Sequence, residues 1–108
     1  MLPPAQLIWL LMFVALVAGC ATAPPVQEMS DARQAIAAAR EAGAHKYVPA
    51  MLQDAEAHLS AAEAFLNRGD NSPNWSLARR DALAAKEIAV DALLRSREAR
   101  QRDAKSGP

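Results

Sequence analysis

The sequence predicts an all-α protein: a small antiparallel three-helix bundle, or a long helical hairpin with a docked first helix, preceded by a separate apolar helix. Three observations lead there. Apolar residues recur at alternating steps of three and four from Met29 to Leu93. Each such stretch opens near a proline, and the first two close on Gly43 and Gly69. β-Branched residues are few, and there is no period-two run from which a strand could be built.

The first element is apolar. Residues 1–20 carry no charged side chain, and all 12 Lys/Arg and all 12 Asp/Glu fall in residues 21–108. Leu7 to Ala18 is an unbroken apolar run. As a helix its twelve residues reach about 18 Å, against a hydrocarbon core of about 30 Å. The run is short for a membrane span and suits the apolar region of an export signal. Small residues follow at once: Ala18, Gly19, then Cys20. The segment Met1–Gln6 has no Lys or Arg, so only the terminal amine supplies positive charge there.

Val17-Ala18-Gly19-Cys20 resembles the lipobox of bacterial lipoproteins. The resemblance implies that the Cys20 thiol is diacylated, that a signal peptidase cuts after Gly19, and that 89 residues remain. Each buried CH₂ contributes about 0.8 kcal/mol, so two or three acyl chains hold a protein at a membrane. Ala21, where an aspartate would favour inner-membrane retention in that family, implies sorting to the outer membrane. The alternative is an uncleaved single-pass anchor in the inner membrane, carrying a helical protein that forms homo-oligomers. One cysteine permits no intrachain disulfide, and acylation would block a thiol that is a liability in an oxidising compartment.

A tether of small residues and proline, residues 20–25, leads to the helices. The first helix is expected from about Pro25 to Ala42, with Met29, Ala32, Ile36 and Ala39 on one face and Gly43 in the left-handed position after its end. Arg33 and Arg40 flank that stripe. The second runs from about Pro49 to Arg68. Tyr47 and Leu52 are spaced as a hydrophobic staple at its entry. Leu52, Ala55, Leu59, Ala62 and Leu66 form its seam, Met51, His58 and Phe65 widen it, and Glu56, Ser60 and Glu63 lie opposite. The third opens with Ser72 as cap and Pro73 in first position and continues to about Arg102. Its stripe is Trp75, Ala78, Ala82, Ala85, Ala89, Ala92 and Leu93. Leu83, Val90 and Leu94 broaden the stripe on one side, and Leu77, Ala84 and Ile88 on the other. Alternating Leu and Ala lets helix axes approach closely, and short connections imply antiparallel neighbours. The expected organisation is 1–19 signal peptide, 20–25 lipidated tether, 26–103 helical domain and 104–108 disordered tail.

Two stretches carry a wider resemblance. One holds Ser30-Asp31-Ala32-Arg33-Gln34-Ala35-Ile36, then Ala42-Gly43-Ala44 and Tyr47-Val48-Pro49. The other holds Leu52, Ala55-Glu56, Leu59 and Gly69-Asp70 before an Ala-rich helix. Together, over roughly residues 25–95, they resemble a bacterial envelope domain of unknown function. That family occurs as small lipoproteins and as the segment preceding OmpA-like peptidoglycan-binding domains. The resemblance implies helical structure and envelope location and brings no catalytic residue. The Leu-x-x-Ala-Glu-x-x-Leu and Gly-Asp pattern also looks like one helix pair of a tetratricopeptide repeat. Such arrays need about three units, and Asn71-Ser72-Pro73-Asn74 lengthens the turn beyond that spacing.

Candidate chemistry is sparse. Asp54 and His58 are four apart on one helical face, but a metal site needs three or four ligands, and the other histidine, His45, falls in a loop. There is no His-Glu-x-x-His, nucleophile elbow or Gly-rich phosphate loop. Neither a cofactor nor a metal is therefore expected, beyond the covalent lipid on Cys20. The charge is zero overall, which leaves no nucleic-acid footprint. It is unevenly spread: residues 21–94 hold seven basic and ten acidic side chains, and residues 95–105 hold five and two. Arg95, Arg97, Arg100, Arg102 and Lys105 could contact anionic headgroups, peptidoglycan or a protein, or simply complement the helix dipole. Arg33 and Arg40 could form an anion-binding row or pair with neighbouring helices. Trp75 reads as an end plug for the core, near Tyr47 if the bundle closes as expected.

These readings predict a non-catalytic structural or protein-interaction module. It is held by lipid at the periplasmic face of the outer membrane, and its partner is an envelope protein, peptidoglycan or a second copy. A metal or catalytic protein using His58 is the remaining alternative.

Overall fold

The computed structural model describes residues 3–20 and 23–107, with residues 13–20 as backbone alone. Five helices occur among them: α1 (Pro4–Cys20), α2 (Val26–Glu41), α3 (Ala44–Tyr47), α4 (Pro49–Arg68) and α5 (Ser72–Lys105). There is no strand among the described residues. Val17, Ala18, Gly19 and Cys20 are described only as backbone, and Ala21 lies outside the described residues, so the positions expected to be cleaved, acylated and read for sorting fall outside the described side chains.

α1 is apolar all round. Leu7, Ile8, Trp9, Leu10, Leu11 and Met12 are all exposed, and no described residue of α1 packs on the other helices. Among the described residues, no helix is long and apolar enough to cross a membrane.

Each helix boundary has a local cause. The ladder of α2 starts with Met29 N–H donating to the Pro25 carbonyl at 3.0 Å. Pro25 is thus the capping residue rather than the first helical one. α2 ends at Gly43, whose φ of +95° belongs to the left-handed region that favours glycine. The Gly43 N–H donates to the Arg40 carbonyl at 3.0 Å. The chain then makes one helical turn, α3, where sequence reading expects a loop. Four residues are too few to show a period, so His45 stands on a helix and not in a loop. Pro49 opens α4 in the first turn, where its missing N–H has no partner to lose.

α5 is capped one residue earlier than expected. Asn71, in extended conformation, accepts the Asn74 N–H at 3.3 Å, which places Ser72 inside the helix. Asparagine caps as well as serine does, and here its position in the turn decides. The 34 residues of α5 span about 51 Å. The helix continues to Lys105, past Arg102, where the apolar pattern gives out.

Contacts between helices fix their directions. Arg33 pairs with Glu63 and Arg40 with Glu56, so α2 and α4 run antiparallel. Glu28 pairs with Arg79 and Asp31 with Lys86, so α2 and α5 run parallel. His58 meets Asp81 while Tyr47 meets Asp103, so the α3–α4 segment runs against α5.

The core is alanine. Pro25 aside, fourteen apolar residues are buried among those described, and all but Met29, Ile36 and Leu52 are alanine. Small side chains let backbones approach, and ridges of one helix then fill grooves of the next. Two clusters result. One holds Ile36, Ala39, Ala44, Leu52, Ala55, Ala89 and Ala92. The other holds Met29, Ala32, Ala62, Ala78, Ala82 and Ala85. Leu59 packs against both and joins them.

The face of α5 is narrower than the sequence reading. Leu83, Val90 and Leu94 are 47%, 38% and 53% exposed and do not broaden the buried stripe. Two flanking helices occupy the alanine side, and these three residues lie beyond the reach of either.

Candidate functional site

Polar groups gather in four places. The first is the seam between α4 and α5. His58 Nδ1 lies 3.2 Å from Asp81 Oδ1. A carboxylate only accepts, so Nδ1 carries the hydrogen and donates. Asp81 is 7% exposed, and the Arg80 guanidinium reaches its other oxygen at 3.4 Å. Asp54, the expected partner of His58, is 3.8 Å from Nε2 and mostly exposed. Sequence reasoning missed Asp81 because nothing in a single sequence aligns position 81 with position 58. An aspartate within an alanine seam was the available signal. Among the described residues, no cluster of three His, Cys, Asp or Glu could hold a metal ion.

The second is a ladder along the α2–α4 groove. Arg40 donates through Nε at 3.1 Å and Nη2 at 2.6 Å to Glu56 Oε1. Arg33 donates to Glu63 at 3.3 Å. The glutamates that sequence reading sets opposite the seam of α4 thus border α2.

The third is the far end of α5, where the basic residues are spread rather than gathered. Arg95 pairs with Asp91 one turn back, and Arg100 reaches the Glu41 carbonyl at 3.4 Å. Arg97, Arg102 and Lys105 are exposed. The Tyr47 hydroxyl donates to Asp103 at 2.9 Å, and Lys46 lies 3.9 Å from the same carboxylate. Tyr47 therefore sits at the opposite end of α5 from Trp75, contrary to the expected proximity. The antiparallel run of α4 carries it there.

The fourth is a hollow of about 310 Å³ at the other end of the helices. Pro24, Pro25 and Met29 line it from the tether and α2, Leu66 from α4, and Trp75 from α5. The Trp75 indole N–H donates to Asp70 at 2.7 Å, which fixes the ring. Arg79 ties this end together, donating to Glu28 of α2 at 3.0 Å and to the Ala23 carbonyl of the tether. Trp75 walls this hollow; the sequence reading made it an end plug.

Together these arrangements can tie helices and receive a small apolar group. At the other imidazole nitrogen of His58, Nε2, the nearer charged group is Asp54 at 3.8 Å. No curated protein and no solved structure matches the chain. A family model, described as a domain of unknown function and designated DUF4398, matches residues 27–107. That match covers α2 to α5 and the turns between them, and so the chain belongs to the DUF4398 family.

Proposed function

We propose that this protein is a lipoprotein of the bacterial cell envelope, held by acylated Cys20 at the periplasmic face of the outer membrane, where its helices serve as a non-catalytic interaction module. One observation carries the reading: Val17-Ala18-Gly19-Cys20 closes an apolar run of twelve residues. Such a run is too short to span and long enough to be an export signal. In this reading α2, α4 and α5 form a three-helix bundle, with α4 and α5 as a lone tetratricopeptide-like pair. In this reading the domain is of the kind that also precedes OmpA-like domains, and it shares their address near the cell wall. The test is mass spectrometry of the form isolated from envelopes. Acyl-Cys20 at the N-terminus is the expected result, and an intact Met1 with a bare thiol at Cys20 would sink the proposal.

A second reading, self-association, rests on Leu83, Val90 and Leu94. These exposed apolar residues recur at seven and four along α5, the spacing of a helix-pairing seam. Crosslinking in intact envelopes checks it: a dimer lost on Leu94→Arg supports pairing, and a monomer throughout rejects it.

A further inference from the structure

We propose that a second copy of this chain covers the outer face of α5, and that the two α5 helices pair antiparallel, with Glu87 of each set against Arg97 of the other. The pairing rests on the self-association reading and adds its direction and register.

Leu83, Val90 and Leu94 are exposed on α5. Glu87, Arg97 and Gln101 continue the same row at alternating steps of four and three, and they are exposed as well. From Leu83 to Gln101 the row rises about 27 Å along the helix. The buried alanines Ala78, Ala82, Ala85, Ala89 and Ala92 lie on the other side of α5, where α2 and α4 pack. The neighbouring helices therefore leave the row open. The ion pairs among the described residues also leave out Glu87 and Arg97.

One acid and one base within the row decide its direction. In a parallel pair in register each residue meets its own copy, so Glu87 faces Glu87 and Arg97 faces Arg97. Like charges set together inside a contact oppose association. An antiparallel pair centred midway between Val90 and Leu94 sets Glu87 against Arg97, Val90 against Leu94 and Leu83 against Gln101. Two-fold symmetry makes each contact twice. A slide of one heptad either way spoils the match: it sets Arg97 against Arg80, or Leu94 against Arg97. The apolar residues supply the buried area, and the ion pair selects the register, as a polar residue in a helix-pairing seam does. At the rim, Lys86 and Asp91 are already paired with Asp31 and Arg95 of their own chain.

Sedimentation equilibrium of the full chain in density-matched detergent micelles reads the dimer. Glu87→Arg sets arginine against Arg97 at two places, and dimerisation should weaken about a hundredfold, roughly tenfold for each contact. Arg97→Glu should do the same. Glu87→Arg combined with Arg97→Glu should restore the dimer, because opposite charges face each other again. In a parallel pair each single change replaces one like-charge contact by another and moves nothing. A dimer that ignores both single changes, or that the double variant fails to restore, overturns the antiparallel register. If Leu94→Arg still breaks that dimer, self-association through this face stands without it. A wild-type chain that is monomeric at every concentration overturns both. The substituted positions are exposed, so the core is untouched, and rescue by the double variant reports a folded chain.

Discussion

His58 and Asp81 meet across the α4–α5 seam at 3.2 Å, where the one buried carboxylate among the described residues takes a hydrogen bond from the imidazole. The Arg80 contact to Asp81 is longer, and its guanidinium is mostly exposed. Removing the imidazole therefore leaves a buried carboxylate short of donors. His58→Ala should destabilise the fold by about 1–3 kcal/mol. His58→Ala with Asp81→Ala should cost less than the sum of the two single changes, since the second removes the group the first orphans. Urea unfolding followed by circular dichroism of the four forms measures the coupling. Additive costs would mean that the two residues act independently.

Gly43 joins α2 to α3 with φ at +95°, and an added Cβ would stand 3.2 Å from two ring carbons of Tyr47. Tyr47 is held in turn by its hydroxyl bond to Asp103. The ring can give way only by straining that bond. Gly43→Ala is expected to cost about 1–2 kcal/mol from backbone strain alone, with the Tyr47 contact adding to it. Gly43→Ala in a Tyr47→Ala background isolates the backbone part. Thermal unfolding of the three variants separates the terms, and a neutral Gly43→Ala would show that the turn relaxes.

The sequence reveals the seams because they follow from periodicity alone. Met29, Ala32, Ile36 and Ala39 are all buried, as their spacing implies. So are Leu52, Ala55, Ala62, Ala78, Ala82, Ala85, Ala89 and Ala92. What a spacing rule cannot give is how far one helix slides along another. That register decides that Arg33 meets Glu63, that Arg40 meets Glu56 and that His58 meets Asp81 rather than Asp54. Stripe width is lost for a similar reason. Leu83, Val90 and Leu94 are as apolar as buried residues, and only the placement of α2 and α4 leaves them outside. α3 is too short for any period to appear. The hollow was illegible because its walls come from the tether and three helices far apart in the chain.

Ala85 has no exposed surface and packs in the cluster with Met29, Ala32, Ala62, Ala78 and Ala82. Four of its five buried partners are also alanine, and Leu59, Phe65 and Leu66 pack against the same cluster. Ala85→Leu inserts three carbons where backbones are close, and should cost about 1–3 kcal/mol or more through overpacking. Ala84→Leu, one position along and half-buried, should be close to neutral. Comparing the two melting temperatures tests whether the alanine seam is a spacing requirement or only a propensity for helix.

Ser96 offers a change in the opposite direction. It is fully buried on α5, four residues beyond Ala92 on the same seam, and its hydroxyl has no hydrogen-bond partner. A buried hydroxyl without a partner loses its hydration and receives nothing in return. Serine also forms helix less readily than alanine. Ser96→Ala removes both penalties at little change in volume. The expected effect is a gain of about 1 kcal/mol or more. In a domain of this size that corresponds to a rise in melting temperature of roughly 4–8 °C. Ser96→Val tests the alternative that the cavity has room to spare: its added methyl should cancel the gain by crowding the close backbones. A loss of stability in Ser96→Ala would instead mean that the hydroxyl finds an acceptor in solution, as serines in helices do with a carbonyl one turn back.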